Sequence, residues 1–351
     1  MFAGYNYQRR KFTDFDAVES QNWLTIGLSK TAGGHSFALH GMFSFEPFTM
    51  RDIGSPQVFQ TGETFHGAPL IDYQHPHDLI MNLGVVYRRT ARSVDFGIAA
   101  YAVGPAPLGP TTFMHRASAA DNPQSPLSHH HLDATHVTPG VVTLSAGAKG
   151  FRIEAGAFHG REPDENRLDL DTGALDSFGA RLSWAGGPWQ AQISGADLKT
   201  PERASPYDAT RLTASVSFAK GDEQRAFSWT AAVGQNRGVF GTLEAYLVEG
   251  SRRIGRHAFY GRAESVDKDI LDAGFHPIGT SHTHRPSRIG ALTMGYVRTI
   301  RARTRGALGI GGDITGYLVP GNLVESYRSP LSFHVFLRLA GSGGARLSHR
   351  H

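Results

Sequence analysis

Polar and apolar residues alternate with a period of two along most of this chain. From Asp176, the run puts Phe178, Ala180, Leu182 and Trp184 on one face and Ser177, Gly179, Arg181 and Ser183 on the other. That is the period of a strand and not of a helix. The pattern recurs where Leu212, Ala214, Val216 and Phe218 oppose Arg211, Thr213, Ser215 and Ser217, and again where Leu331, Phe333, Val335, Leu337 and Leu339 oppose Ser332, His334, Phe336 and Arg338. About sixteen such segments are predicted, each close to the roughly 9–11 residues of a bilayer-crossing strand. They begin near Phe2, Trp23, His35, Leu79, Arg92, Thr138, Phe151, Asp176, Trp189, Arg211, Ala226, Gly241, Arg256, Arg288, Arg305 and Pro330.

The connections alternate too. Tight links are read at Thr90-Ala91, Lys149-Gly150, Gly186-Gly187-Pro188, Gly221-Asp222 and Ser251-Arg252-Arg253. Long excursions rich in Pro, Gly, Asp and His cover roughly 47–78, 104–136, 161–175, 198–209 and 267–287. The prediction is therefore an all-β protein, a closed antiparallel transmembrane β-barrel with short periplasmic turns and long extracellular loops that partly fill the lumen. Residues 1–340 form its single domain and 341–351 a C-terminal tail. An even strand count returns both termini to the periplasmic side. A soluble β-sandwich shares the alternation, but strand length and the short-long rhythm of the loops favour the barrel. A propeller needs a repeat of about 40–50 residues, and none is visible. In this register Arg181, Arg211, Thr213, Ser215, Arg262, His334 and Arg338 line the lumen, while Phe178, Leu182, Trp184, Leu212, Val216, Phe218, Phe333, Val335 and Leu337 meet lipid.

Composition narrows the chemistry. The 351 residues include no cysteine, which excludes disulfides, thiolate metal sites and cysteine nucleophiles. Lys+Arg 35 against Asp+Glu 31 gives a formal charge of +4, with no basic run or aromatic-plus-basic motif for nucleic acid. No window approaches the roughly 18 apolar residues of a membrane helix. Met1 to Arg10 lacks a signal-peptide pattern, so the leader of an exported protein is expected to be trimmed or to lie upstream of this Met.

Histidine is the unusual residue, with 18 copies. The second long excursion holds His115, His129, His130 and His131, with His136 at the next strand's start; the first holds His66 and Tyr73-Gln74-His75-Pro76-His77-Asp78. Pro76 biases His75 to extended geometry, so His75 and His77 present two imidazoles on one side. His129 and His131 have the same spacing. Without thiolates, a metal here would be held by imidazole and carboxylate, and His75, His77, Asp78, His115, His129, His131 and His136 are the candidate ligands. Asp72, Arg116, Asp133, Arg161 and Glu162 are expected to form a polar network around them. Two other readings stay open: polar loops that merely pack on one another, and proton-linked gating. There is no Gly-x-Ser-x-Gly elbow or His-Glu-x-x-His signature, and the expectation is that the protein is not an enzyme.

Five strings carry a resemblance: Phe59-Gln60-Thr61-Gly62-Glu63-Thr64, Leu70-Ile71-Asp72-Tyr73-Gln74-His75-Pro76-His77-Asp78, Gly109-Pro110-Thr111-Thr112-Phe113-Met114-His115-Arg116, Ser128-His129-His130-His131-Leu132-Asp133-Ala134-Thr135-His136 and Gly160-Arg161-Glu162-Pro163-Asp164-Glu165-Asn166-Arg167. Together they resemble a family of bacterial outer-membrane β-barrel proteins without an assigned activity. The resemblance covers nearly the whole chain. It implies an outer-membrane location and, because such proteins keep company with heavy-metal and copper resistance, a metal-related role. The chain departs from the family in its missing leader, and in following its last strand with Gly341 to His351 instead of a terminal aromatic. The expected function is a monomeric porin-like channel or transporter with a His-rich loop cluster linked to copper or zinc handling, its partners being outer-membrane lipid and a small solute or metal ion, with no nucleic acid. The alternatives are a metal-dependent outer-membrane enzyme and a plugged binding or structural barrel.

Overall fold

The structure, a computed structural model, describes residues 1–351 apart from 12, 204–206, 223, 240, 270, 272–285, 304–305 and 342–351. The first four strands are β1 (Phe2–Arg10), β2 (Thr13–Gln21), β3 (Leu24–Ala32) and β4 (His35–Phe43). A loop follows, with helix α1 (Glu46–Thr49) and four two-residue strands, β5 (Ser55–Pro56), β6 (Thr64–Phe65), β7 (Ala68–Pro69) and β8 (Tyr73–Gln74). Next come β9 (Ile80–Ala91) and β10 (Val94–Gly104), then a second loop that contains α2 (His129–Leu132). The remaining strands are β11 (Thr138–Ala148), β12 (Phe151–Phe158), β13 (Ser177–Gly186), β14 (Trp189–Leu198), β15 (Ala209–Gly221), β16 (Arg225–Gly238), β17 (Gly241–Ile254), β18 (His257–Lys268), β19 (Ser287–Arg303), β20 (Gly306–Leu318) and β21 (Leu331–Gly341), with α3 (Val324–Tyr327) before the last.

Seventeen of these strands form one sheet, and the pairings that join them are antiparallel. Its two ends are β2, which pairs with β1, and β3, which pairs with β4; β1 also pairs with β21. Each neighbour reverses direction, so the first and last of seventeen strands run the same way. Only Asn22 and Trp23 separate β2 from β3, so β3 continues β2 instead of folding back on it. The alternation did not pick out Thr13–Gln21. Its outward positions are Asp14, Asp16 and Val18, all exposed, whereas Phe15 turns inward onto the loop residue Tyr73. The acids there interrupt the apolar face by which the other strands are recognised.

At one end of the sheet the hairpins are tight. Gly33-Gly34 and Lys149-Gly150 hold positive φ at both central residues, the turn geometry that matches strand twist. The link read at Ser251-Arg252-Arg253 lies inside β17, and the turn comes later, at Gly255. Phe2 pairs with Arg338 and the Met1 ammonium donates to the Leu339 carbonyl at 3.2 Å, so the N-terminus lies beside the last described strand, β21. The excursion read over 267–287 lies largely outside the described residues, as does the tail beyond Gly341.

One face of the sheet is exposed and apolar: Ile153, Phe178, Ile193, Val248, Leu292, Met294 and Val335 are each more than half accessible. The other face is polar and buried, with Ser194, Arg211, Thr213, Thr230, Glu249, Arg262, Thr293, Asp313, Thr315 and His334. Two loops, 44–79 and 105–137, cover that polar face. Val58, Phe59 and Leu127 from the loops pack on the wall residues Ala245, Val266, Ile289 and Ala291.

An arginine at Val216, on the apolar face, is expected to cost roughly 2–4 kcal/mol against hydrocarbon. Val216→Arg should then lose heat-modifiable migration in detergent gels while Ser215→Arg keeps it; equal behaviour would contradict the assigned faces.

Candidate functional site

The inward loops are fixed to the wall by buried ion pairs. Arg116 donates Nη1 to Asp133 at 2.6 Å and Nε to Glu249 of β17 at 2.7 Å; Arg262 of β18 donates Nε to Glu249 at 3.0 Å and Nη1 to the Gln124 carbonyl at 2.8 Å. These four charged side chains are almost wholly buried. Asp121 holds Arg253 at 2.9 Å and Arg338 at 3.2 Å. Asp72 accepts from Arg10, from Tyr327 and from the Phe59 amide. That bond helps hold Phe59 at φ 68, a left-handed conformation uncommon for a bulky residue.

The loops also meet each other. Gln57 donates Nε2 to the Ser125 carbonyl at 2.9 Å and accepts from Ser125 Oγ at 2.9 Å, while Ser125 Oγ also reaches Gln74 at 3.1 Å. Between them, with residues 162–167 of a third loop, lies a cavity of about 20 Å3 lined by Glu63, His75, His77, His129, His130, His136 and Glu162, among others. That volume suits one water or one ion.

The imidazoles are oriented individually. His77 Nδ1 bonds Glu46 at 2.8 Å, His129 Nδ1 bonds Asp133 at 2.7 Å and His136 Nδ1 bonds the Asp133 carbonyl at 2.9 Å. Each partner is an acceptor, so Nδ1 carries a proton, and in a neutral ring Nε2 is the atom left with a lone pair. Ring centroids lie 5.4 Å apart for His77 and His136 and 5.2 Å for His129 and His136. His75 differs: Nδ1 is 2.8 Å from the Pro76 carbonyl and Nε2 is 2.8 Å from Glu63. Both partners accept, so the His75–Glu63 pair keeps an extra proton between them.

Electrostatics at the cavity follow from burial. Burial lowers His130, against the pull of Glu202 and Glu63, and lowers His129 against Asp133. It takes His136 well down with help from His129 and His77, and His131 well down with help from Lys268 and Arg211. Burial and the facing Glu63 push Glu162 well above the carboxylate range, whereas His75 holds Glu63 well below it despite burial. Glu202 is pushed up to about 7 by burial, and Asp78 up to about 6 by burial against Arg167.

Of the residues singled out in sequence, His75, His77, Asp78, His129, His136 and Glu162 line the cavity. His131 does not. Residues 129–132 form a helical turn, where positions two apart point about 200° apart, so the extended spacing assumed for His129 and His131 fails. The same turn brings Asp133 under His129, four residues on. His115 is exposed, because Arg116 beside it turns inward to Asp133 and Glu249. Asp72 belongs to the separate Arg10–Tyr327 group, and Arg161 reaches Thr200 at 2.9 Å on the exterior. On the wall, Arg181 bonds Glu154 and the Gly109 carbonyl, Arg211 bonds Asn236, and His334 bonds Asp313; Thr213, Ser215, Arg262 and Arg338 share that inner face. Among the ionisable residues of the cavity, Glu63, His130 and Arg167 are ones that sequence reasoning did not place in the site. Glu63 meets His75 within the first loop but His130 and Glu162 only across loops, which spacing does not encode.

Several solved structures share the fold. An anion-selective porin from Comamonas acidovorans superposes with a TM-score of 0.57 at 12% identity, covering 97% of each chain. A loop-deletion form of OmpT, an outer-membrane protein of Vibrio cholerae, gives 0.53 at 10% identity, over 96% of this chain and 97% of that one. No family model and no curated protein matches the chain. The fold is that of bacterial outer-membrane β-barrel porins.

Two outcomes follow. Arg116→Met leaves Asp133 and Glu249 buried without their cation, which costs about 3–5 kcal/mol and should lower the thermal midpoint of heat-modifiable migration. The lowered imidazoles of 129–136 bind fewer protons in the folded loop than in the unfolded chain, whose histidines titrate near pH 6.5. The raised carboxyls of Asp78, Glu162 and Glu202 oppose them from outside that segment. The imidazoles' contribution is present above that pH and is lost as pH falls below it. Limited proteolysis within 113–136 should therefore be faster at pH 5 than at pH 8; equal rates would contradict this.

Proposed function

We propose that the chain is a monomeric bacterial outer-membrane channel of the porin type, closed from sixteen crossings once β2 and β3 are counted as one, with its apolar face in lipid. The two inward loops narrow the lumen so that water and small ions pass and larger solutes do not. A sixteen-strand barrel without inward loops leaves an aqueous channel, so the loops set the bore. The observation that carries this reading is the anchoring of loop 105–137 at separate places on the wall: Gly109 to Ser194 at 2.8 Å, Ser118 to Glu249 at 2.9 Å, Asp121 to Arg253, and Ser128 to Glu264 at 2.7 Å. The reading is of a channel, not an enzyme.

The filled lumen favours one other reading, a barrel without conductance that only holds its ligand. Planar-bilayer recording separates the two. The channel reading expects small, discrete steps for the wild type and larger steps for Asp121→Asn, which loosens the loop from Arg253 and Arg338. Silence from both variants would favour the closed barrel, and wide steps from the wild type would contradict the narrowing.

A further inference from the structure

We propose that Glu63, His130 and Glu162 form a binding site for one divalent first-row transition-metal cation. The inference names what the loop cavity takes; it rests on the channel reading only for the ion's route, and its test reads binding, not current, so either can fail alone.

The donor set comes first. One ligand atom from each of these three residues lies within 4.8 Å of the others. Bonds of about 2.0–2.2 Å to zinc-like ions hold tetrahedral ligand atoms roughly 3–4 Å apart, so the three donors need only close slightly around an ion. Imidazole with two carboxylates suits zinc, cobalt, iron or manganese, and no thiolate competes.

Unmet valence is the second observation. The His130 side chain is 3% exposed, yet both of its ring nitrogens lack a hydrogen-bond partner among the described residues. Both oxygens of Glu162, a side chain 10% exposed, are likewise without one, although His130 Nδ1 is 3.4 Å away. Buried polar atoms left unpaired are costly, and a cation shared by His130 and the two carboxylates satisfies one ring nitrogen and the Glu162 carboxylate. Without a cation, two facing carboxylates must keep a proton between them, since both can only accept.

The third observation is the cradle. Gly62 has φ +129, and a Cβ built there would lie 2.6 Å from His130 Nδ1. Glycine at this position lets the ring lie against the first loop, beside Glu63. Behind Glu63 stands His75, whose Nε2 contact at 2.8 Å orients the carboxylate as outer partners orient metal ligands. His75 is a positioning residue here, not a ligand.

The test uses the full chain folded in detergent, with Co(II) as a spectroscopic probe and Zn(II) in calorimetric titration. The wild type should take one ion per chain. Glu162→Gln keeps the shape of the neutral acid, so it should retain heat-modifiable migration and bind at least about tenfold more weakly. His130→Gln should behave alike, and Gly62→Ala, which displaces the ring, gives a third variant should either of these fail to fold. His115→Gln, at an exposed position, should bind as the wild type does. No binding by the folded wild type would overturn the proposal. So would wild-type affinity in the folded Glu162, His130 and Gly62 variants, which would place the ion on other histidines.

Discussion

A sheet that turns its apolar face outward must bury its polar face, and everything else in this molecule follows from that inversion. Arg211, Glu249, Arg262, Asp313 and His334 point inward, where lone charges are expensive and paired ones are tolerable. Some pairs lie within the wall, such as His334 with Asp313 and Arg262 with Glu249. The rest need counter-charges from elsewhere, and the loops bring them: Arg116 to Glu249 and Asp121 to Arg253 and Arg338. The loops fold inward because they complete the wall's electrostatics, and the wall's charges are tolerated because the loops come in.

This explains which features were legible. Strands announce themselves through a local period of two, and nearly all begin within a residue or two of where the alternation starts. The exceptions fail for local reasons: Asp14 and Asp16 break the apolar face of β2, and the polar stretch Ser251 to Arg253 mimics a turn although Ser251 donates to Asp121 of the inward loop at 3.0 Å. The candidate site was half legible. His75 and His77 follow from Pro76 and extended spacing. His130 and Glu63 do not, since what unites them is the contact of Gly62 with the His130 ring, made by two loops that separate strands hold together. His129 and His131 part company because four residues chose a helical turn, and nothing in three successive histidines specifies that.

The cavity then has a simple physical character. Imidazoles whose Nδ1 protons are held by Glu46, Asp133 and the Asp133 backbone line a space that also receives the carboxyls of Glu63 and Glu162. Such a place suits either protons or a cation, and it lies where the two inward loops touch. Both loops contribute to this one set of contacts, so displacing either loop dismantles the cavity.

The central claim is that both loops are buried inside the sheet, and a chain without cysteine allows it to be tested by single introduced thiols. Ser118 and Ser125 are buried in the second loop, whereas His115 and Ala120 on the same loop are exposed. Labelling Ser118→Cys, Ser125→Cys, His115→Cys and Ala120→Cys in the folded protein with a bulky water-soluble maleimide measures this directly. Rapid modification at 115 and 120 with strong protection at 118 and 125 is the predicted result. Uniformly rapid modification would mean that the loop stands free of the lumen, and would contradict the account.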